Sequence, residues 1–309
     1  MRFFSSDFAV HINTQNTFGG MRGEIAKEFG LVMNGLWTSG WEHLSPAKFK
    51  SQFGRFQKMF SGSDQQDSLE FLIFILDGLH EDLNTARLPG KQKPSEKKSS
   101  DQLDAENENM RNQLRAQDSW NFHKSFNESI IVELFQGQLH STVICETCNF
   151  NSTTFDTFMY LSLPIPGKSS KCSLHDCLNE FLSKEVLIGV WMCPTCKTTR
   201  NATKRTTIWR LPPYLLIHFK RFSFTEIKNE KICTIIDFPI TLDLTTKVEH
   251  KLNHSYDYSL YAVSNHSGNL DSGHYTATCK WNQEWHKFDD EVVQKISQNQ
   301  IVVSSGRSA

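Results

Sequence analysis

The hydrophobic pattern of the chain changes from helical to strand-like near its middle. In the first part, apolar residues recur at spacings of three and four, as at Ile25, Phe29 and Val32, which predicts an amphipathic helix that ends near Gly40. From Ile130 onward, short runs of alternating apolar and polar residues are separated by turn residues, which predicts strands. Helices followed by mostly antiparallel strands are typical of an α+β fold rather than of alternating β and α units.

Two more helices are predicted in the first part. The spacing of apolar residues from Pro46 to Phe56 indicates a short one. Ser63 followed by Gln66 fits a capping box that opens the next. Because residues 68–76 are apolar almost all round, we expect this helix to be buried. The acids and amides on its first turn either cap the helix or form a polar cluster aimed into a cleft, and the pattern leaves both interpretations open.

The segment between the helical and strand-like parts has a different composition. Residues 88–117 are rich in charged and polar side chains, which predicts a flexible, solvated insertion with a helical second half, because such a composition cannot bury a core. The later elements follow from alternation and turn residues. Strands are predicted at 133–139, 141–144, 155–163, 206–209, 215–222 and 259–264, and a short helix at 174–182.

Composition narrows the class of protein. With 38% hydrophobic residues in 309, the chain can fill a sizeable core. The formal net charge of −1 offers no basic field for nucleic acid or an anionic membrane. No apolar run approaches the ~20 residues of a membrane span, and the first residues lack the apolar region of a signal peptide. We expect a cytoplasmic protein, with the nucleus as the alternative compartment, and reduced cysteines.

Four of the eight cysteines form two equal pairs, Cys145-x-x-Cys148 and Cys193-x-x-Cys196. Four thiolates on two turns close a tetrahedral Zn²⁺ site, and a closed site is structural rather than catalytic. The alternative is free buried thiols. A zinc-ribbon nucleic-acid protein is disfavoured because no basic patch accompanies the pairs. The other four cysteines are interpreted as core fillers: Cys172, Cys177, Cys233 and Cys279.

A histidine near the C-terminal end is placed for proton transfer. His274 follows Gly273 at the start of an alternating run, and a polar turn at 282–284 leads to a second run that carries Asp289 and Asp290. Two adjacent strands would bring a carboxylate beside the imidazole. A carboxylate holds one tautomer of the ring, which can then accept a proton from a nucleophile. The alternative is a structural histidine near a surface acid pair.

These segments resemble, in order, the motifs of the ubiquitin-specific proteases. Residues 65–72 read QQDSLEFL and resemble the family's QQDxxEF box. Residues 211–222 read LPPYLLIHFKRF and resemble its LPxxLxxHxKRF strand. Residues 271–277, with the later Trp285 and the run 288–290, resemble its His box. The two Cys pairs match the zinc-bearing fingers of the members that keep the metal. The resemblance covers nearly the whole chain.

The resemblance implies a papain-like cysteine protease fold with thumb, palm and fingers and a zinc-ribbon finger. It implies one catalytic domain over 1–309, divided as follows: a helical thumb at 1–126 with the insertion 88–117, fingers at 127–165 and 187–212, and a palm at 166–186 and 213–309. The implied partners are ubiquitin and ubiquitinated proteins, with no nucleic acid and no membrane insertion.

The family hydrolyses the isopeptide bond after the ubiquitin C-terminus with a Cys-His-Asp/Asn triad. The resemblance implies that His274 is the general base, that Asp289 orients it and that Asp290 is a neighbouring polar support. It implies structural Zn²⁺ on the four paired thiols: Cys145, Cys148, Cys193 and Cys196. It implies that six residues contact the ubiquitin tail: Gln65, Gln66, Asp67, Glu70, Gly273 and Tyr275.

The chain departs from the family at the nucleophile. The family's catalytic cysteine follows an asparagine and a glycine in an N-terminal box, whereas the first cysteine here is Cys145, which belongs to a metal pair. Cys279 lies on the same predicted strand as His274 and should face the opposite side. The family's closing aromatic strand is also missing. We therefore expect a chain truncated at both ends and inactive as it stands. The alternative is a catalytically inactive, ubiquitin-binding pseudoprotease.

Overall fold

The computed structural model describes residues 11–14, 21–38, 43–87, 108–167, 170–224, 229–251, 255–269 and 272–301. The chain divides into two compact units. We call them the helical unit (Met1–Ser99 and Asn121–Leu134) and the sheet unit (Ser100–Trp120 and Phe135–Ala309). The helices of the described residues are α1 (Glu24–Thr38), α2 (Ala47–Phe56), α3 (Ser68–Asp82), α4 (Glu108–Phe126), α5 (Ile130–Phe135) and α6 (Leu174–Phe181).

The helical unit is built around an aromatic cluster. Phe53 of α2 is fully buried, and its ring centroid lies 4.9 Å from that of Phe71 and 4.8 Å from that of Phe74, both on α3. Such edge-on contacts stabilise the packing beyond the area they bury. The two predicted helices are confirmed by the observed spans of α1 (Glu24–Thr38) and α2 (Ala47–Phe56). The apolar face of α1 is buried at Ile25, but Leu36 at its far end is 61% exposed.

A buried carboxylate caps α1 from another helix. The two side-chain oxygens of Asp82, in the last turn of α3, accept hydrogen bonds of 2.9 to 3.1 Å from the backbone N–H groups of Met21, Gly23, Ile25 and Ala26. These N–H groups have no partner inside the helix. Burial is the larger influence on the Asp82 carboxyl and raises its pKa, while the four hydrogen bonds lower it.

The start of α3 corrects the predicted capping box. The N-cap is Asp67, whose carboxylate accepts from the N–H groups of Leu69 and Glu70, so Ser63 and Gln66 do not open the helix. Asp67 has the extended backbone that an N-cap requires, with φ −68° and ψ 129°. Burial of α3 begins at Ile75, so the prediction of a wholly buried helix was also wrong.

The sheet unit contains two four-stranded antiparallel sheets and several shorter pairs. The finger sheet has the strand order β2-β1-β6-β5, and the histidine sheet has the order β13-β14-β15-β16. The strands are β1 (Gly137–Cys145), β2 (Asn151–Phe158), β3 (Leu161–Leu163), β4 (Lys171–Ser173), β5 (Glu185–Cys193), β6 (Thr198–Arg210), β7 (Ile217–Phe219), β8 (Phe222–Phe224), β9 (Asn229–Lys231), β10 (Ile235–Asp237), β11 (Thr241–Asp243), β12 (Asp257–Ser259), β13 (Ala262–Gly268), β14 (Gly273–Trp281), β15 (Glu284–Asp289) and β16 (Val292–Ile296).

The core of the sheet unit lies between the short strands and α6. Leu161 and Leu163 of β3, Leu178 of α6, Ile208 of β6 and Ile236 of β10 are all buried in one cluster. The parallel pairs β3–β7 and β4–β10 hold these segments together. In the described residues no helix has the length and apolar character needed to cross a membrane.

Several predicted elements differ from the structure. The strands expected at 133–139 and 141–144 are replaced by α5 and the single strand β1, and the strand expected at 155–163 is divided between β2 and β3. Residues Ile130–Phe135 form α5 rather than a strand, because the Ser129 hydroxyl accepts from the N–H of Val132 and begins a helix; a short apolar run fits either element. The strand expected at 215–222 is limited to Ile217–Phe219, with β8 following. The strand expected at 259–264 is divided between β12 and β13.

The predicted insertion is described only from Glu108, and 88–107 lie outside the described residues. The helical second half is confirmed by α4. This helix is not solvated all round, because Ala116 and Trp120 are buried. In the sheet unit, the Ala116 carbonyl accepts a hydrogen bond from Gln138 Nε2 at 3.1 Å, and the Arg210 guanidinium lies 4.6 Å from the Trp120 ring.

Candidate active site and metal centre

His274 and Asp289 meet across a hairpin of the histidine sheet. β14 and β15 are antiparallel, with Ala277 opposite Phe288. Continuing that register places Asp289 opposite Thr276, so Asp289 shares a face with His274 one diagonal step away. Nε2 of His274 lies 2.7 Å from Oδ1 of Asp289. The structure therefore brings together the two residues that the hairpin pattern predicted to meet.

The second oxygen of Asp289 has a partner that was not predicted. Lys287 donates from Nζ to Oδ2 of Asp289 at 2.9 Å. The hydrogen bond from Lys287, followed by that from His274, lowers the pKa of Asp289, so the carboxylate is ionised at neutral pH. Accepting the Nε2–H of His274 leaves Nδ1 as the basic nitrogen of the neutral ring. The signal in the sequence was the two-residue spacing, which puts Lys287 and Asp289 on one face of a strand.

Two further features of the site are the position of Asp290 and the solvent exposure of the His274 ring. Asp290 lies in the turn after β15 with a φ of 50°, a conformation that aspartate tolerates better than most residues. A ligand atom of Asp290 lies within 4.8 Å of those of His274 and Asp289. The His274 side chain is 46% exposed, so a substrate can reach the ring. The arrangement can accept a proton from a thiol and return it to a leaving group.

Gly273 and Tyr275 pack against a second histidine. A Cβ on Gly273 would lie 2.6 Å from the backbone carbonyl oxygen of Ser267 and would also clash with the His266 ring, so a larger residue would force the backbone to shift. The Tyr275 ring centroid lies 4.6 Å from that of His266. Lys231 donates from Nζ to the Gly268 carbonyl at 2.9 Å, and its Nζ lies 2.8 Å from Nδ1 of His266. Both residues that were predicted to bind substrate thus help to shape the start of β14.

The four paired cysteines converge at one end of the finger sheet. Their sulfur atoms all lie within 4.8 Å of one another, with Cys148 Sγ 3.5 Å from Cys193 Sγ. Each pair occupies a turn of the same design. Asn149 donates its N–H to the Cys145 carbonyl and Lys197 donates to the Cys193 carbonyl, and both donors have positive φ, 56° and 57°.

The donor set fits a soft metal ion. A tetrahedral site with metal–sulfur distances of about 2.3 Å has sulfurs about 3.8 Å apart, which agrees with the observed spacing. The backbone N–H of Cys148 lowers the pKa of the Cys145 thiol to about 6, whereas burial and the side chains of the other three thiols raise the pKa of Cys148 to about 12. One thiol therefore ionises readily, while Cys148 would lose its proton on binding the metal. Four protein ligands leave no open position, so the cluster suits a structural ion and no catalytic one.

Comparison with known protein families assigns the chain to one of them. The profile of the family described as ubiquitin carboxyl-terminal hydrolase matches residues 3–308. The chain belongs to that family. It is 38% identical over 288 residues to ubiquitin carboxyl-terminal hydrolase 2 of Gallus gallus, a match that covers 91% of this chain and 78% of that protein. Identity to the Homo sapiens protein of the same name is 37% over 287 residues, covering 91% and 46%.

The chain spans less than a third of one curated relative. It is 38% identical over 289 residues to ubiquitin carboxyl-terminal hydrolase Usp2 of Drosophila melanogaster, a match that covers 91% of this chain and 29% of that protein. The fold of this chain is similar to that of a chain in the SAGA DUB module Ubp8/Sgf11/Sus1/Sgf73 bound to monoubiquitin, with a TM-score of 0.69 and 26% identity over 92% of this chain and 57% of that one. The same module bound to ubiquitin aldehyde gives a TM-score of 0.69 and 25% identity, covering 92% and 58%. The predicted family and fold class are confirmed.

The remaining cysteines of the chain differ in burial, and Cys279 is turned away from His274. Cys177 is buried, Cys172 and Cys279 are partly buried, and Cys233 is exposed, so the interpretation of Cys233 as a core filler was wrong. Cys279 is an odd number of residues from His274 on β14, which puts their side chains on opposite faces. In the described part of the chain, no thiol forms a hydrogen bond with His274.

The polar residues of the QQD segment lie in the helical unit of the hydrolase domain. Gln65 and Glu70 are exposed, and Gln66 and Asp67 are partly buried. Since the Asp67 carboxylate receives two backbone N–H groups, the capping interpretation of this residue is confirmed. Contact of these four residues with ubiquitin stays a prediction.

Proposed function

We propose that the chain is the catalytic domain of a thiol-dependent deubiquitinase, which hydrolyses the isopeptide bond at the ubiquitin C-terminus. The observation that carries the proposal is the His274–Asp289 hydrogen bond of 2.7 Å in a chain of this family. In the proposed reaction, Nδ1 of His274 accepts the thiol proton, and the thiolate attacks the C-terminal carbonyl carbon of ubiquitin. His274 then protonates the leaving amine, and water releases ubiquitin from the acyl-enzyme.

Asp289 and Asp290 have supporting roles in this proposal. Asp289 holds the ring tautomer and stabilises the imidazolium while it carries the proton. Asp290 is a polar neighbour within 4.8 Å of both. We further propose that none of the eight cysteines is the nucleophile, so the chain alone binds ubiquitin without hydrolysing it. The absence of a hydrogen bond between His274 and any thiol of the described residues equally favours a second candidate, a ubiquitin-binding pseudoprotease.

We also propose that the four-cysteine cluster holds a structural Zn²⁺ that ties the two hairpins of the finger sheet together. The support is the convergence of the four sulfur atoms within 4.8 Å of one another. The ion would contribute folding energy and take no part in the hydrolysis.

Ubiquitin and ubiquitinated proteins are the proposed partners. The solved modules of similar fold were bound to monoubiquitin and ubiquitin aldehyde, which supports the same partner here. The thumb, fingers and palm boundaries and a cytoplasmic or nuclear location are proposed on the same family basis. The six residues predicted to contact the ubiquitin tail belong to this proposal.

The test is ubiquitin binding and turnover on the same sample. Titration with fluorescent ubiquitin should show weak binding, and ubiquitin with a fluorogenic C-terminal group should not be cleaved. Absence of binding would overturn both candidate functions. Cleavage that His274→Ala abolishes would support the deubiquitinase and contradict the assignment of no nucleophile. Sequencing the native transcript across the Met1 codon separates the candidates, because a deubiquitinase requires an in-frame cysteine box upstream.

A further inference from the structure

Two thiols that the proposed hydrolysis does not use face each other in the sheet unit. Sγ of Cys172, in β4, lies 3.8 Å from Sγ of Cys177, in the first half of α6. The turn between them is fixed by a reciprocal capping box. Asp176 donates its N–H to Ser173 Oγ at 3.1 Å, and Ser173 donates its N–H to Asp176 Oδ2 at 2.8 Å. The approach of the sulfurs is therefore built into the strand-to-helix connection.

The two thiols differ in access to solvent. Cys177 has an exposed fraction of 0% and belongs to the core of the sheet unit. Cys172 is partly exposed and lines an open cleft of about 420 Å³ together with Lys171 and Asp176. A small oxidant that enters the cleft therefore meets Cys172 first, while Cys177 stays protected behind it.

A fixed cation lies near both sulfurs. The Arg221 guanidinium donates from Nη1 to the carbonyls of Ile232 and Thr234 at 3.1 and 2.9 Å. Its positive charge interacts favourably with negative charge on Cys172 and Cys177. Burial, followed by the proximity of Cys172, raises the pKa of Cys177 to about 12, so Cys177 is a thiol at neutral pH. Because Cys172 lines the open cleft and Cys177 is buried, Cys172 is the first to react and Cys177 resolves the product.

We propose that Cys172 and Cys177 form an oxidisable pair that hydrogen peroxide or an organic hydroperoxide converts to an intramolecular disulfide. The Cys172 thiolate attacks one peroxide oxygen, the O–O bond breaks and hydroxide or alkoxide leaves, which gives a sulfenic acid at Cys172. The Cys177 sulfur then attacks the Cys172 sulfur, the S–O bond breaks, and water leaves with the Cys177 proton. With hydrogen peroxide, two thiols lose two electrons and the peroxide becomes two waters.

Formation of the disulfide requires the two sulfurs to close from 3.8 Å to about 2.05 Å. The finger cysteines cannot compete for this pairing when they hold metal. The inference does not depend on the proposed hydrolysis, because it concerns thiols outside that site.

The test uses the intact, zinc-loaded chain. Trypsin releases both thiols in one peptide, 172–184, which contains no other cysteine. After peroxide treatment and alkylation, this peptide should have lost two hydrogens and taken up no alkyl group. Dithiothreitol should restore two alkylation sites. Cys279, a partly buried thiol without a thiol partner in the described residues, is the internal control, because it should be alkylated in the same unfolded sample.

Two results would overturn the inference. One is peptide 172–184 with both thiols alkylated after peroxide treatment, and the other is oxygen added at Cys172 while Cys177 is still alkylated. Cys172→Ser should abolish the loss of two hydrogens and leave Cys177 reduced at peroxide concentrations that oxidise the parent. Because the parent chain itself gives the decisive result, a variant that folds poorly does not affect the conclusion.

Discussion

Lys287 donates a hydrogen bond of 2.9 Å to the oxygen of Asp289 that His274 leaves unused. The carboxylate is thus held from both sides, which restricts its rotation and fixes the direction of the acceptor that the imidazole meets. Lys287 is therefore a positioning residue for the proposed base.

The first prediction concerns this lysine. Lys287→Met should raise the pKa of Asp289 toward the ordinary aspartate value, because the largest influence that lowers it is lost. The folded pKa lies below the unfolded one, so the carboxylate adds stability above the ordinary aspartate pKa and loses that contribution as pH falls through the lowered value. Carboxyl ¹³C NMR titration measures the shift.

The matched control is Lys295→Met, because Lys295 on β16 pairs with Glu284 at 2.5 Å and lies opposite His286 rather than Asp289. An Asp289 titration that is the same in Lys287→Met and the parent would contradict the positioning role.

The second prediction concerns the finger cysteines. If the proposed zinc is bound, a chelator should release it and lower Tm, because the ion would hold together the two turns at the end of the finger sheet. Cys193→Ser should reduce the zinc content and give the same Tm with and without chelator. Calorimetry and a colorimetric zinc assay measure these effects. Cys279→Ser is the control, and an unchanged Tm of the parent after chelation would count against the metal assignment.

The third prediction concerns the carboxylate that caps α1. Asp82→Asn keeps the shape of the side chain but turns one acceptor into a donor, which leaves backbone N–H groups of Ile25 or Gly23 buried without a partner. We expect a loss of about 3 kcal/mol in the free energy of unfolding, measured by urea titration. Asp64→Asn, at an exposed aspartate of the same unit, should change it by less than about 0.5 kcal/mol. A neutral result at Asp82 would refute the cap.

The fourth prediction concerns a buried histidine on β1 of the finger sheet. Nδ1 of His140 lies 2.6 Å from Oε2 of Glu249, and Thr207 also donates to this carboxylate. The hydrogen bond from His140 is the largest influence that lowers the pKa of Glu249. The pair therefore stabilises the fold above the ordinary glutamate pKa, and the contribution is lost as pH falls through the lowered value.

Glu249→Gln should consequently make stability fall less steeply with acidification below the ordinary glutamate value than in the parent. Urea midpoints measured over a pH series test this. The exposed Glu133→Gln provides the comparison, with an expected profile like that of the parent. Parallel profiles for Glu249→Gln and the parent would rule out the coupling.

Elements with strong periodicity could be predicted from the sequence. Helix α1 and the β14–β15 hairpin follow from regular spacing and a polar turn, and the hairpin sufficed to place Asp289 beside His274. Helix α5 could not be predicted, because its six residues are too short for periodicity to separate helix from buried strand. The cap of α3 was misplaced because Ser63 and Asp67 are both good capping residues, and backbone conformation decides between them.

Contacts across long stretches of chain could not be inferred at all. Asp82 caps a helix that lies 56 to 61 residues earlier in the chain, and His140 meets Glu249 across 109 residues. No local pattern marks such pairs, because the fold alone determines which polar groups are brought together. Lys287 is intermediate, since the spacing that puts it on the same face of the strand as Asp289 was visible, but the hydrogen bond between them became evident only from the structure.

The relative position of the two cysteine turns depends on how β1 pairs with β6 in the finger sheet. They belong to different hairpins, β1–β2 and β5–β6, which are joined only where β1 pairs with β6. A slip of one residue in that pairing would turn one pair of thiols to the other face and separate the four sulfurs. An ion that needs all four can bind only the correctly aligned sheet, so metal binding would select that alignment from its shifted competitors during folding.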